Sequence, residues 1–316
     1  MSASTISAAV ISYETRDELR ACLVALEKEA PHEVFVVDNA SRDGSAEMVR
    51  CDFPWVSLIA NDHNRGFGAA ANQALVLATS DYVLLLNGDA APDPGALRAL
   101  ANYLDEHPEA AVVGPRLVYP DGRLQPSCYP FLTPLNVLLV MSGLNGIIGS
   151  VPLLGSHHLP TSPHRVARRV PWVKGAALAV RRSVLRGIDG FDESYFLYAE
   201  EQDLCFRLAT VGWQTHFAPV ATISHVEGAS SRGREAAVSE QIFRSLIHFY
   251  RRHYSRPRRV ALRAVLALLM AGRITRDAAL LARERESLKR SELRRNISVW
   301  SRVLVGRLSR PAASAP

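Results

Sequence analysis

Two short stretches of this sequence put carboxylates where catalysis or cation binding is within reach. Asn87-Gly88-Asp89 follows the aliphatic run Val83-Leu84-Leu85-Leu86, so a buried strand delivers one carboxylate to a sheet edge. Such a carboxylate can hold a hard divalent cation that bridges diphosphate oxygens, and Gly88 lets backbone and ligand approach closely. Taken alone, Asn/Gly/Asp after a strand is also ordinary turn chemistry. The second stretch is Glu200-Glu201-Gln202-Asp203, opening a helix whose apolar residues begin at Leu204. Acids favour helix N-termini through the dipole, so capping is one reading. Three acids beside Tyr195-Phe196-Leu197-Tyr198 exceed what a cap needs, and partial burial among aromatics would raise a carboxylate's proton affinity and suit it as a general base. His225 ends the apolar stretch Ala221-Thr222-Ile223; an isolated histidine of this kind is more often structural than a ligand. Asn61 to Asn72, NDHNRGFGAAAN, reads as a glycine-bearing strand-to-helix turn whose amides, with Asn64 and Arg65, can meet a phosphate.

The elements around these residues alternate. Ile6–Ser12, Val34–Val37, Trp55–Ala60 and Tyr82–Leu86 read as strands, and Ala111–Val113 as another short one. Between them, Asp17–Glu29 carries apolar residues at spacings of three and four, Phe67–Thr79 is Ala-rich and helical, and Asp93 is placed to cap a helix that has Pro94 at its first position and runs to about Glu106. Strands joined by helix-length connections imply a mostly parallel sheet covered on both faces, with ligands bound beyond the carboxyl ends of its strands. Ser12-Tyr13, Asp38-Asn39 and Asn87-Gly88-Asp89 all fall there. Residues 120–170 are irregular. Within them Leu135–Val151 is apolar but interrupted, and is read as a mobile acceptor loop, an interfacial segment or a packed loop-helix. Trp172–Val180 is expected as a strand, Glu200–Val211 as a helix, and Trp213–Phe217 and Ala221–His225 as two short extended pieces. Beyond Glu235 the pattern is helical throughout.

The 316 residues are 48% hydrophobic and 22% charged, enough to bury a sizeable core. Four scattered cysteines form neither a zinc motif nor a disulfide framework, which favours a reducing compartment. The opening MSASTISAAVISY has no basic segment followed by a long apolar run, so no secretory signal is expected. From Arg251 onward there are 17 Lys and Arg against 4 Asp and Glu, a net of +13; with a total of +6, the preceding residues carry −7. The apolar runs Val260–Met270 and Ile297–Leu308 have arginine flanks, and the second holds Trp300, a pattern that fits helices lying on an anionic membrane surface. Packing against the body or a sister subunit, as in a homodimer, is the alternative. A nucleic-acid reader would interleave aromatics with its basic patch; this tail is aliphatic and arginine-rich, so no nucleic-acid partner is expected.

Seven stretches in order, VISYETRDEL, VFVVDNASRDGS, NRGFGAAAN, DYVLLLNGD, WVKGAALAVRRSVL, GFDESYFLYAEEQDLCFRLATVGW and ISHVEGAS, resemble family 2 glycosyltransferases of the GT-A fold, particularly their bacterial rhamnosyltransferase-like branch. The resemblance spans about residues 6–235. It implies an α/β GT-A catalytic domain over 1–235, with a donor half to about 115 and an acceptor and base half beyond it, followed by a basic helical extension over 236–316. It implies an inverting transferase that moves a sugar, best matched to L-rhamnose from a dTDP donor with UDP-hexose or UDP-galactofuranose as the alternative, onto a glycan or polyprenyl-linked acceptor at the cytoplasmic face of the membrane. By that resemblance Asp38 contacts the donor nucleoside, with Ser12, Tyr13 and Glu14 lining the pocket and Asn64, Arg65 and Asn87 beside it. Asp89 and His225 hold Mg²⁺ or Mn²⁺, Glu201 is the base with Glu200 the alternative, and Trp172, Asp192 and Tyr198 meet the acceptor. Two departures stand out: the branch commonly reads Asn-Pro-Asp where this chain has Asn87-Gly88-Asp89, and Asp where it has Glu201.

Overall fold

The computed structural model describes residues 4–142, 162–229 and 235–306. These sort into two compact units: residues 4–131 with 162–229, and residues 132–142 with 235–306. In chain order the elements are β1 (Ile6–Ser12), α1 (Arg16–Glu29), β2 (Val34–Asp38), α2 (Ser45–Asp52), β3 (Ser57–Ala60), α3 (Phe67–Leu77), β4 (Tyr82–Asn87), β5 (Ala90–Pro92), α4 (Ala96–Glu106), β6 (Ala110–Val118), β7 (Leu124–Gln125), β8 (Cys128–Tyr129), α5 (Pro134–Met141), β9 (Arg168–Val170), β10 (Trp172–Val173), β11 (Ala177–Arg181), α6 (Arg182–Arg186), α7 (Glu200–Thr210), β12 (Gln214–His225), α8 (Glu235–His253), α9 (Arg256–Arg283) and α10 (Ser287–Leu304).

In the first unit the main sheet runs β3-β2-β1-β4-β11-β6-β12-β5. The block β3-β2-β1-β4 is parallel, as the alternation of strands and helices requires. β11 then runs antiparallel between β4 and β6. Each central strand is buried on both faces, and its residues alternate between two cores. Ala8, Val10, Leu84 and Leu86 pack with Leu19, Leu23 and Leu26 of α1 and Leu97 and Leu100 of α4. Ala9, Ile11, Val83 and Leu85 face Phe67, Ala70 and Ala74 of α3 and Leu204 and Leu208 of α7. The 3.6-residue stripes of α1 and α4 and the period of two in the strands therefore meet on the faces that the sequence pattern assigns them.

Several expected elements differ. Trp172–Val180 is not one strand: Trp172-Val173 pair with Cys128-Tyr129 in a separate two-stranded sheet, and the chain re-enters the main sheet only at Ala177. Trp213–Phe217 and Ala221–His225 are instead one strand, β12, whose pairing with β6 slips between Phe217 and Thr222, around Pro219. The strand expected at Ala111–Val113 spans nine residues, and β3 begins at Ser57 rather than Trp55. Asp93 does not cap α4, which starts at Ala96 behind Gly95 and has no side-chain cap of its own. Glu29, the last residue of α1, takes that role, accepting from Gly95 N–H at 2.5 Å and Leu97 N–H at 3.0 Å.

In the second unit α9 packs against α5 and α10, and α10 against α8. Phe243, Leu262, Leu266, Met270, Val299 and Val303 are buried there. Trp300 belongs to this core and not to an outward aromatic anchor: it is buried, meets Phe243 edge-on, lies under the Arg273 guanidinium and donates its Nε1–H to Asp277 at 3.1 Å. The Leu135–Val151 stretch is helical over Pro134–Met141, and its remainder beyond 142 lies outside the described residues. All four cysteines are free thiols.

Candidate active site

Strand register assembles the site. Ser12 pairs with Asp38 across β1 and β2, and Ile11 with Asn87 across β1 and β4, so the three loops at those carboxyl ends form one edge. β11 extends that edge because it runs antiparallel to β4: the Asn87 amide donates to the Ala176 carbonyl at 3.0 Å. β12 closes it from the far side, since His225 is registered against Ala90 and the Val226 amide donates to the Asp89 carbonyl. Glu14, Ala40, Tyr198, Ala199 and Glu227 all have positive φ, and each sits in a loop at this edge or at the start of α7. Left-handed backbone at five non-glycine residues is strain of the kind that concentrates at functional sites.

At the β1–β2 end, Asp38 is buried. Its Oδ2 accepts from the Ser41 amide at 3.0 Å, while Oδ1 is buried with no protein partner. Burial pushes its carboxyl above the usual aspartate range, against the opposing hydrogen bond from Ser41. Glu14 also holds this turn together: its amide donates to Ser41 Oγ and its Oε1 accepts from the Arg42 amide, both at 3.0 Å. Ser12 Oγ lies 3.0 Å from Thr15 Oγ1, and Tyr13 is partly buried next to it. Gly88 packs against this turn rather than opening room for a ligand, for a Cβ there would fall 2.5 Å from Thr15 Oγ1.

At the Asn64-Arg65 turn, Asn64 Oδ1 accepts from the Gly66 amide and Arg65 leans toward Glu193 at 3.8 Å. Gly66 has φ +83, and the Phe67 amide behind it donates to the Phe196 carbonyl, so the first free amide of α3 is engaged by the loop that leads to α7. Asn39, whose side-chain Nδ2–H donates to the Gly66 carbonyl at 3.2 Å, ties the turn to the β2 end.

Asp89 and His225 come together. His225 Nε2 lies 3.2 Å from Asp89 Oδ1 and 3.4 Å from Asn87 Nδ2, and both Asp89 and His225 are buried. His225 Nδ1 is 2.7 Å from Gln125 Oε1. Among the described residues no cluster of three or more His, Cys, Asp or Glu forms a metal site. A carboxylate and an imidazole nitrogen converging at an open strand edge still suit a cation that takes its other ligands from a diphosphate and water, as Mg²⁺ does.

The α7 acids divide by role. Asp203 is fully buried and structural: it accepts from Tyr195 Oη at 3.1 Å and from Arg207 Nε at 2.7 Å, and Arg207 also donates to the carbonyls of Ile188 and Gly190. That arginine and Asn72, which exchanges hydrogen bonds with the Phe191 backbone, pin the loop that precedes α7. Asp192, expected on the acceptor side, uses Oδ1 to cap Ser194 through its amide and hydroxyl. Glu200 and Glu201 each bury an Oε2 with no protein partner. Burial pushes the Glu200 carboxyl well up, and the neighbouring Glu201 charge adds to it. Burial also raises Glu201, but amide donors including Gly175 N–H at 3.3 Å, and the charge of Lys174, pull it back. Burial and the Glu201 charge therefore raise Glu200 the more of the two, so within this coupled pair Glu201 gives up its proton the more readily. Tyr198 is partly buried, its phenol raised by burial and by Glu200, Glu201 and Glu227 in turn. Trp172 stacks on Tyr129 at 4.3 Å and donates to the Pro130 carbonyl.

The sequence reading passed over Gln125, Lys174 and Glu227. Glu227 pairs with Lys174, accepts from Tyr119 Oη at 2.9 Å and accepts from Gln125 Nε2 at 3.2 Å. Burial pushes its carboxyl up, but these partners outweigh that and hold it below the usual glutamate range.

The model of the family described as Glycosyl transferase family 2 matches residues 7–130. The N-acetylglucosaminyl-diphospho-decaprenol L-rhamnosyltransferase of Mycobacterium tuberculosis is 30% identical over 235 residues, 68% of this chain and 72% of that protein. The chain belongs to glycosyl transferase family 2. This family 2 glycosyltransferase shares its fold with the mannosyltransferase PcManGT from Pyrobaculum calidifontis, solved with GDP-Man and Mn²⁺, at TM-score 0.53 and 19% identity over 96% of this chain and 87% of that one. It also shares its fold with GalNAc-T7, solved with UDP, GalNAc and Mn²⁺, at TM-score 0.54 and 14% identity; the match covers 79% of this chain and spans only 50% of that one. These likenesses establish the GT-A fold.

Proposed function

We propose that this glycosyltransferase transfers a sugar from a nucleotide diphosphate, with inversion, onto a lipid-linked glycan acceptor. One observation carries the reading: along a single strand edge stand a buried acceptor oxygen of Asp38 with no protein donor, the converging Asp89 and His225, and the unpartnered Oε2 atoms of Glu200 and Glu201. Buried polar atoms without partners mark places where a ligand completes the hydrogen bonding. Asp38 Oδ1 suits a nucleobase N–H or a ribose hydroxyl, with Ser12, Tyr13 and Asn87 nearby. Asp89 and His225 would hold Mg²⁺ or Mn²⁺, which when bound supplies positive charge beside the leaving diphosphate.

Glu201 then takes the proton of the acceptor hydroxyl. That oxygen forms its bond to the anomeric carbon as the bond to the diphosphate oxygen breaks on the opposite face, so one displacement inverts the centre. Glu200, the carboxyl that holds a proton more tightly, adds less negative charge near the nucleophile than a second free carboxylate would, and the partly buried Tyr198 and Trp172 offer surfaces for a sugar ring. No second carboxylate nucleophile is required, unlike in retaining hydrolases.

The relative's name supports L-rhamnose as the sugar and an N-acetylglucosaminyl-diphospho-prenol as the acceptor; dTDP is the carrier we propose for that sugar, with UDP-hexoses as the competing donors. A lipid-linked acceptor calls for work at a membrane surface, here proposed as peripheral and on the cytoplasmic side. No described helix is long and apolar enough to cross a membrane. On α9, Val260, Ala264, Leu268, Ala271, Thr275 and Ala282 form an exposed uncharged face, with Arg256 and Arg263 along one rim and Arg276 and Arg283 along the other. Apolar faces edged by arginine suit anionic lipid, and the same arginines would repel one another across an α9-to-α9 homodimer. The test is a thermal-shift panel of dTDP- and UDP-sugars with Mn²⁺, followed by NMR of the anomeric configuration of the product from the best donor. A product of retained configuration overturns the mechanism.

A further inference from the structure

Gln125 and Glu227 stand behind His225, on the side of the ring away from Asp89, and fix what it presents to that carboxylate. The Glu227 carboxylate, paired with Lys174, accepts from Tyr119 Oη and from Gln125 Nε2. A carboxylate is acceptor-only, so the amide nitrogen of Gln125 must face it and the amide oxygen must face the other way. That oxygen lies 2.7 Å from His225 Nδ1, and only a ring N–H can satisfy it there. Gln125 is 1% exposed and His225 3% exposed, so water does not offer an alternative partner. On the far side of the ring, Nε2 faces Asp89 Oδ1 at 3.2 Å and the Asn87 amide nitrogen at 3.4 Å. In that position Nε2 holds either a proton, which pairs the imidazolium with Asp89, or, once that proton is removed, a lone pair that with Asp89 suits a bound cation.

We infer that Gln125 and Glu227 are a positioning pair: they lock His225 in its Nδ1–H tautomer, so that the Nε2 lone pair is aimed, with Asp89, at a hard cation. The inference rests on the proposed cation role of Asp89 and His225. It assigns a task to two residues that belong to none of the expected sites. The fold makes the lock possible: Gln125 lies on β7, which pairs antiparallel with β6, while Glu227 holds a positive φ just past the end of β12. Partners of this kind behind a metal-binding histidine commonly change metal affinity by roughly 10–100-fold when removed.

The experiment uses the full-length chain labelled with ¹⁵N-histidine, metal-free, in mildly alkaline buffer. The His225 resonances are identified by their loss in His225→Gln. Long-range ¹H–¹⁵N spectra are expected to show the Nδ1–H tautomer in the wild type and the Nε2–H tautomer, or a mixture, in Gln125→Met, which keeps side-chain volume but offers no amide oxygen. Gln125→Glu combined with Glu227→Gln, which keeps an acceptor toward Nδ1 and exchanges donor and acceptor between positions 125 and 227, is expected to retain the wild-type tautomer. Mn²⁺ titration followed by EPR in the presence of UDP is expected to weaken roughly 10–100-fold in Gln125→Met and to change only a few-fold in the exchanged pair. If Gln125→Met does not fold, the isosteric Glu227→Gln, which frees the Gln125 amide to turn over, takes its place with the same expectation. An Nε2–H tautomer in the wild type, or a tautomer and Mn²⁺ affinity unmoved in Gln125→Met, overturns the inference. The tautomer readout needs no metal, so a wild type that shows the Nδ1–H form but binds no Mn²⁺ overturns the cation assignment alone.

Discussion

Glu200→Gln and Glu201→Gln exchange the same atom for the same atom in adjacent residues, and the surroundings of the two carboxyls require opposite outcomes. Glu201 Oε1 accepts from Gly175 N–H and feels Lys174, whereas Glu200 is raised both by burial and by the Glu201 charge. Glu201 is therefore the carboxylate available to take a proton, and a positioned general base contributes roughly 10²–10⁴ in rate, about 2.7–5.4 kcal/mol of barrier. Glu201→Gln should lose that factor in kcat under saturating donor, while Glu200→Gln, which replaces the carboxyl raised the more by its surroundings, should stay within about tenfold of wild type. Stability adds a second readout. Glu200 binds its proton more tightly folded than unfolded, so its contribution is intact at low pH and is lost as pH rises through the raised folded value. Glu200→Gln removes that loss, and each tenfold difference in proton affinity is worth about 1.4 kcal/mol. Its melting temperature should exceed wild type near about pH 8, and the gain should shrink toward the ordinary glutamate range at about pH 4.3. The wild-type rate should fall on the acid side at a pH above that range, because Glu201 is also raised. The assay is initial-rate nucleotide release with the best donor, beside melting curves across pH. Full activity in Glu201→Gln with an inactive Glu200→Gln would refute the assignment, and full activity in both would remove a carboxylate base altogether.

Three further outcomes follow from the structure. Arg207→Met strands the fully buried Asp203 and frees the Ile188 and Gly190 carbonyls; losing one partner of a buried pair costs about 3–5 kcal/mol, so melting should drop by roughly 6–20 °C. Gly66→Ala puts a Cβ 2.1 Å from the Phe196 carbonyl oxygen at φ +83 and ψ 169; that backbone alone costs about 1–3 kcal/mol for a non-glycine residue, and urea midpoints should fall accordingly. Val260→Glu with Leu268→Glu should reduce co-sedimentation with anionic vesicles at low salt and leave the melting temperature nearly unchanged, since both side chains are exposed; undiminished binding would remove α9 from the membrane role.

The parallel block β3-β2-β1-β4 was legible because each of its strands is a local aliphatic run and each connection a self-contained helix. The pieces read less well are those whose partners are distant in sequence. Trp172-Val173 leave the main sheet to pair with Cys128-Tyr129, and the α4 amides are capped by Glu29, more than sixty residues earlier. The same limit applied to the site. Types and spacing drew attention to Asp89, Glu200, Glu201 and His225, but turn chemistry, capping or a structural histidine explained each one taken alone, and the family resemblance is what attached roles to them. Gln125 and Glu227 gave no such signal: one lies in the stretch read as irregular, and the other follows His225 in a turn. Only the pairing of β12 with β5, and of β7 with β6, shows that they share the ring. Asp203 shows the converse, an acid in a conspicuous cluster whose work is to hold a loop.

The most direct test of the account is calorimetric titration of dTDP and UDP into wild type and Asp89→Asn, each with and without Mn²⁺. Binding that requires Mn²⁺ in the wild type and is lost in Asp89→Asn is the predicted result. Binding of equal strength in both proteins and without metal, or no binding by the wild type under any condition, would contradict a nucleotide-sugar site built on this strand edge.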